Sequence, residues 1–145
     1  MIAVDTNILV FAHREDSPWH DQAFACLAGL AEGRAAWATP WPCLHEFLAI
    51  VTHPRIYSPP SPLQTALAQV EAWFEAPSLV LLAETGSYWP EELRAALMAG
   101  RVAGAQVHDA RVAALCNLHG VQELWSADRD FGRFPALRVR NPLVR

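Results

Sequence analysis

A chain of 145 residues, 52% hydrophobic and 18% charged, has the length of one domain and enough apolar material for a substantial core, which excludes a disordered tail. No apolar run reaches the roughly 20 residues of a membrane span, and the amino-terminal apolar stretch is cut at Asp5 with no basic segment before it; no membrane contact and no signal peptide are expected, and the expected compartment is the cytoplasm. The net charge of −4 argues against a nucleic-acid partner only until its distribution is considered, because five of the 15 acidic residues are candidate cation ligands and the 11 basic residues nearly balance the remainder.

Every one of the 11 basic residues is Arg. A phosphate-binding P-loop needs its Lys, and so does Schiff-base chemistry, so both are excluded. A receiver domain, which also gathers acids around Mg²⁺ at strand ends, is excluded by the same missing Lys. Cys26, Cys43 and Cys116 lie far apart and form no Cys-x-x-Cys pair, which favours reduced, buried thiols over disulfides or zinc.

Along the chain, Ile2-Ala3-Val4 predicts a buried strand ended by Asp5, and Thr6 to His13 a first short helix. Ser17-Pro18 is a helix start, with Ser as N-cap and Pro in the first helical position. Ala23, Phe24, Leu27, Leu30 and Ala31 follow at helical spacing, and Gly33 supplies the stop. Ala35 to Thr39 reads as a strand. Pro40-Trp41-Pro42 breaks the chain and opens a helix with an apolar face of Leu44, Phe47, Leu48 and Val51, ended by Pro54. The Pro-rich stretch 57–62 is too short for a domain linker; Ser61-Pro62 repeats the start signal for a helix running to about Glu75. Leu79 to Ala83 is all apolar, as expected of a strand covered on both faces. A helix over Glu91–Ala99 closes at Gly100, and Asp109 opens another over Ala110–His119, closed by Gly120. Glu123–Ala127 predicts a strand, Phe131 to Pro135 a tight turn, and Leu137–Val139 a last short strand. Strands alternating with helices imply an α/β fold with a parallel sheet covered on both faces.

In such a sheet ligands bind beyond the carboxyl ends of the strands. Asp5 leaves the first strand there, and Asp128 and Asp130 follow the Glu123–Ala127 strand. Glu46 borders the buried face of its helix, and Asp109 lies at a helix start. Crowded carboxylates repel and call for a cation, best a hard divalent ion such as Mg²⁺ or Mn²⁺. Each acid also has a plainer role: Asp5 as an N-cap, Glu46 as a solvated flank, Asp109 as a partner of the helix dipole, and the Asp128/Asp130 pair, alternating along an extended segment, as a polar turn. Thr6 and Asn7 are placed either to hold Asp5 or an ion-bound water, or to cap the helix.

The combination, taken in order, resembles the PIN-domain nucleases, and in particular the VapC toxins of bacterial and archaeal toxin–antitoxin pairs. The matching segments are Val4-Asp5-Thr6-Asn7, His45-Glu46-Phe47, His108-Asp109-Ala110 and Ser126-Ala127-Asp128-Arg129-Asp130-Phe131. The resemblance spans the chain, so residues 1–145 are expected to be a single nuclease domain. It implies a three-layer α/β/α sandwich with a central, mainly parallel sheet. It also implies a Mg²⁺- or Mn²⁺-dependent endoribonuclease, usually a homodimer, neutralised by a cognate antitoxin. Asp5, Glu46, Asp109 and Asp128 would be its catalytic metal ligands, with Asp130 a further ligand.

A site of carboxylates without a protein nucleophile suits attack of metal-activated water on a phosphodiester, leaving 5′-phosphate and 3′-hydroxyl ends. The 2′-hydroxyl is not needed, so the RNA substrate follows from the resemblance and not from the chemistry. Arg55, Arg129 and Arg133 are candidate phosphate contacts, within a wider set that includes Arg138, Arg140 and Arg145. His45 and His108 each precede a candidate ligand, but neighbours on a helix point about 100° apart, so neither is assigned to the metal. Trp41, about a turn before Glu46, is the tryptophan placed to meet a base. Two further functions fit these residues: a housekeeping or DNA-directed nuclease of the same fold, and a catalytically silent partner-binding domain whose acids are solvated or paired with arginines.

Overall fold

The computed structural model describes residues 1–144; Arg145, counted above among the candidate phosphate contacts, lies outside the described residues. Five short strands form one sheet: β1 (Ile2–Val4), β2 (Trp37–Pro40), β3 (Leu79–Leu82), β4 (Glu123–Trp125) and β5 (Val139–Arg140). All pairs are parallel, in the order β3-β2-β1-β4-β5. The register sets Ala3 beside Ala38 on one side of β1 and beside Leu124 on the other.

Parallel neighbours need crossover connections. Helices α1 (Thr6–His13) and α2 (His20–Glu32) join β1 to β2, and α3 (Trp41–Val51) and α4 (Leu63–Phe74) join β2 to β3. A π-helical turn over Tyr88–Leu93, then α5 (Arg94–Gly100) and α6 (Gln106–Leu118), return the chain from β3 to β4. The first two crossovers step outward from β1, and the third jumps back past it. Right-handed crossovers therefore put α1 to α4 on one face of the sheet and α5 and α6 on the other. The packing follows: α1 lies on α2 and α3, α3 on α4, and α5 on α6. This is the three-layer α/β/α sandwich with a parallel centre. Trp37, Phe47, Leu44, Leu115 and Leu124 are among its fully buried side chains, and Phe47 meets Trp73 of α4 at 4.9 Å between ring centroids. No helix among the described residues is long and apolar enough to cross a membrane.

Several boundaries differ from expectation for local reasons. The helix expected from Pro18 begins at His20, because Ser17 takes the Trp19 N–H on its hydroxyl and the His20 N–H on its carbonyl, closing a turn first. β2 starts at Trp37, whose N–H donates to the Ser78 carbonyl. The apolar run 79–82 is not covered on both faces: β3 is an edge strand and Val80 is 39% exposed. The helical run expected from Glu91 already starts at Tyr88 as a π-turn. Asp109 does not open α6 but sits in its first turn, since the Gly104 carbonyl accepts the Val107 N–H and the helix begins at Gln106. β4 stops at Trp125, and the turn after it is a 3₁₀ turn over Arg129–Arg133. β5 follows Leu137 instead of containing it, because Leu137 N–H closes a turn on Phe134 while Arg138 and Arg140 offer their carbonyls to Leu124 and Ser126.

Candidate active site

The strand order reverses at β1, which has β2 on one side and β4 on the other. At such a switch point the connections leave in opposite directions and open a crevice at the carboxyl ends of the strands. Asp5 is the first residue past β1, and Ser126 the first past β4. Both are buried.

Asp5 occupies the N-cap position of α1 but makes no side-chain cap bond. Its Oδ2 instead accepts from the Ser126 hydroxyl at 2.7 Å and from Asn7 Nδ2 at 3.3 Å, and its Oδ1 from the Cys43 thiol at 3.5 Å. Burial pushes its carboxyl above the usual range, while the Ser126 bond, the Thr6 backbone and the Cys43 bond pull it back, and the charge of Glu46 adds a last upward push. Burial holds the Cys43 thiol well above its ordinary value, so it stays protonated and donates. Asn7 ties the two strand ends together: Nδ2 donates to Ser126 Oγ at 3.2 Å, and Oδ1 accepts the Ala127 N–H at 3.0 Å. Thr6 reaches the other way, donating to Glu46 Oε2 at 3.2 Å and joining α1 to α3.

Asp128 and Asp130 do not alternate along an extended segment as the sequence suggests. Asp128 caps the 3₁₀ turn, its N–H donating to Ser126 Oγ at 3.0 Å and its Oδ1 accepting the Asp130 N–H at 2.8 Å. The turn curls both carboxylates toward Asp109 on α6, and the three side chains bring one oxygen each within 4.8 Å of the others. Burial, then the charges of Asp128, Asp5, Asp130 and Glu46, push Asp109 up to about 6. The five acids thus share one electrostatic site, with Asp109, Asp128 and Asp130 as its tight trio and Asp5 and Glu46 outside that trio. None of the five is ion-paired among the described residues; the arginines in ion pairs there take Asp16, Glu84 and Glu123. Uncompensated, partly desolvated carboxylates with oxygen donors only are the donor set of a hard divalent cation.

An open cleft of about 640 Å³ exposes Glu46, Asp109 and Asp130 together with His45, His108 and Arg111. A second hollow of about 380 Å³ lies on the Asp128 side, with Ser126 and Arg129 in its wall. Neither His45 nor His108 brings a ring nitrogen into the carboxylate trio. Among the expected phosphate contacts, Arg129 is exposed between Asp128 and Asp130, and Arg55 is exposed beyond the far end of α3. Arg133 turns inward to the Gly100 carbonyl at 3.4 Å, and Arg138 and Arg140 flank Glu123 at 3.3 and 3.8 Å. Two residues of the site escaped the sequence reading. Ser126 was hidden inside the strand expected over Glu123–Ala127, and only the end of β4 at Trp125 puts it at the carboxyl edge. Arg111, two residues after Asp109, is brought to the cleft only by the packing of α6.

A sequence profile of the PIN domain matches residues 2–137, and the chain belongs to the PIN-domain family. It is 32% identical over 138 residues to ribonuclease VapC48 of Mycobacterium tuberculosis, covering 95% of this chain and 94% of that protein. It is 34% identical over 145 residues to ribonuclease VapC43 of the same organism, covering 99% and 96%. Within the family it is therefore of the VapC ribonuclease type. Its fold is similar to a chain of the crystal structure of VapBC2 from Rickettsia felis bound to a DNA fragment from their promoter, with a TM-score of 0.67, 20% identity and coverage of 97% and 98% of the two chains.

Proposed function

We propose that this chain is a Mg²⁺- or Mn²⁺-dependent endoribonuclease acting as the toxin of a toxin–antitoxin pair, in the cytoplasm and as a homodimer. The observation that carries the proposal is the convergence of Asp109, Asp128 and Asp130 at the switch point, none of them ion-paired among the described residues. The five acids together would hold the ion, with Asp130 at the exposed edge of the set. When bound, such an ion supplies a more acidic water and offsets the charge that develops on the phosphodiester. Ser126 and Asn7 fix Asp5, and Thr6 fixes Glu46, so that the carboxylates meet substrate without reorganising. Burial and the neighbouring acids push Asp109 up to about 6 in the metal-free protein, so its carboxyl would give up its proton on binding a divalent ion. The RNA assignment is supported by the ribonuclease relatives, and the antitoxin by the electrostatics: an Arg or Lys inserted among unpaired acids is the simplest way to silence them.

Cleavage of a structured RNA by the purified protein, with Mg²⁺, Mn²⁺ or EDTA, tests this. Asp5→Asn, Glu46→Gln, Asp109→Asn and Asp128→Asn should each remove most activity, with non-additive losses because the acids act as one unit. Asp130→Asn should cost less, since Asp130 is the exposed member of the trio. Activity that survives EDTA, or survives Asp109→Asn, rules the proposal out.

A further inference from the structure

The acidic cleft has an aromatic wall that hydrolysis does not use. Trp41 opens α3 where β2 ends, and His45 follows four residues later, on the same helix face. Their ring centroids lie 6.1 Å apart with the planes 35° from parallel. Phe74 of α4 braces the indole at 6.0 Å and 74°. Even so, the tryptophan is 37% exposed, while Leu44 and Phe47 on the inner side of the same helix are buried. A hollow of about 230 Å³ runs from the two rings to Arg111, and it is continuous with the acidic cleft because Pro42, His45 and Arg111 line both. Arg111 pairs loosely with Glu84 at 3.9 Å and lies beside the Tyr88 hydroxyl, and a guanidinium has five N–H donors, so donors remain for a ligand.

Flat aromatic rings, a guanidinium in the same hollow and carboxylates in the adjoining cleft suit one chemical class. Single-stranded nucleic acid offers base faces for stacking and a phosphate beside each base. We propose that Trp41 and His45 form a nucleobase subsite: an unpaired base lies on the indole with the imidazole at its edge, Arg111 contacts the adjoining phosphate, and the neighbouring phosphodiester enters the carboxylate cluster. This rests on the ribonuclease proposal and adds the form of the substrate. A base inside a duplex has both faces stacked and cannot take this place, so the RNA is engaged at a loop, bulge or end.

The test is equilibrium binding of a fluorescently labelled single-stranded RNA, read by anisotropy in Mg²⁺ on an Asp109→Asn background, so that the RNA stays whole. Stacking of one base on an aromatic ring predicts that Trp41→Ala raises Kd about 5- to 100-fold. Trp41→Phe should recover most of that loss, and a duplex of the same sequence should bind with no dependence on residue 41. An abasic nucleotide walked along the RNA should at one position lose the same factor, with no further loss in Trp41→Ala. Equal Kd for Trp and Ala at residue 41, equal losses in Phe and Ala, or a Trp41→Ala loss unchanged by every abasic RNA overturns the subsite. If Trp41→Ala melts before binding can be read, the abasic series on Trp41 protein decides alone: no position with a loss overturns the subsite. Cleavage by the Asp109 protein is scored separately; cleavage without any effect of residue 41 removes only the subsite, and no cleavage under any condition removes the ribonuclease proposal.

Discussion

Ser126→Ala is the most revealing single change, because one hydroxyl joins three parts of the site. It donates to Asp5 Oδ2 at 2.7 Å and accepts from Asn7 Nδ2 and the Asp128 N–H. A hydrogen bond to a buried charged group contributes about 1.5–3 kcal/mol, and stripping the partner from the partly buried Asp128 N–H adds about 1 kcal/mol; Asn7 keeps Asp5 as acceptor. The expected loss is about 2–4 kcal/mol out of the roughly 5–15 kcal/mol typical of a domain. At about 2–4 °C per kcal/mol for this chain length, Tm should fall by about 5–15 °C. The loss should also depend on pH. Burial already raises the folded pKa of Asp5 above its unfolded value, so stability from this group is complete at low pH and declines as pH rises through the folded pKa. Removing the Ser126 donor raises that folded pKa further, so the variant declines more. The gap between the two proteins should therefore be smaller at pH 4 than at pH 8. Thermal melts followed by circular dichroism in EDTA at both pH values, with RNA cleavage measured in parallel, provide the test. A Tm within about 1 °C of wild type at pH 8, or a gap that ignores pH, refutes the account of Ser126 as the support of an ionised Asp5.

Two further outcomes follow from the same structure. Asp109 titrates near 6 in the fold against an ordinary 3.8, so the metal-free protein loses stability as pH rises from about 4 to about 6. At full weight that difference corresponds to about 3 kcal/mol, reduced to about 1–2 kcal/mol by solvent screening of a half-exposed carboxylate. Asp109→Asn should therefore be the more stable protein above pH 6 in EDTA, equal to wild type near pH 4, and should gain less Tm from millimolar Mn²⁺; identical pH profiles of the two proteins contradict this. Gly100→Ala should destabilise by about 1–3 kcal/mol through overpacking, because the added Cβ would lie 2.6 Å from Phe134 Cε1 and 3.1 Å from Val102 Cγ1. Urea titration should show a lower midpoint with an unchanged slope, and a midpoint equal to wild type would refute tight packing of Phe134 on Gly100.

The site opposes the stability of the fold that carries it. Its carboxylates raise one another's proton affinity, and the hydroxyl, amide and thiol around Asp5 offset only part of the burial. Functional sites are where such local conflicts are tolerated.

What the sequence determined by itself was the class of the fold and the level at which the acids enter. Short apolar runs separated by amphipathic stretches can be satisfied only by a sheet with helical crossovers, which makes it parallel. A polar residue directly after such a run must leave at the carboxyl edge, so the placement of Asp5 is a local property, whereas Ser126, expected inside its strand, was placed by the early end of β4. Strand order was not local. The run 79–82 is as apolar as an inner strand yet lies at the edge, because its neighbours on the sheet come from distant parts of the chain. The meeting of Asp109 with Asp128 and Asp130 was not local either. It depends on a crossover that returns past β1 and on a 3₁₀ turn whose curl, set by the Asp128 cap, aims both carboxylates where an extended chain would not. Arg111 and the Trp41–His45 wall join the same cleft only through the packing of α6 against the end of α3. Hydrophobic period and capping act over a few residues and can be read along a chain, whereas the spacing of side chains from separate elements is decided only when the crossovers close around the core.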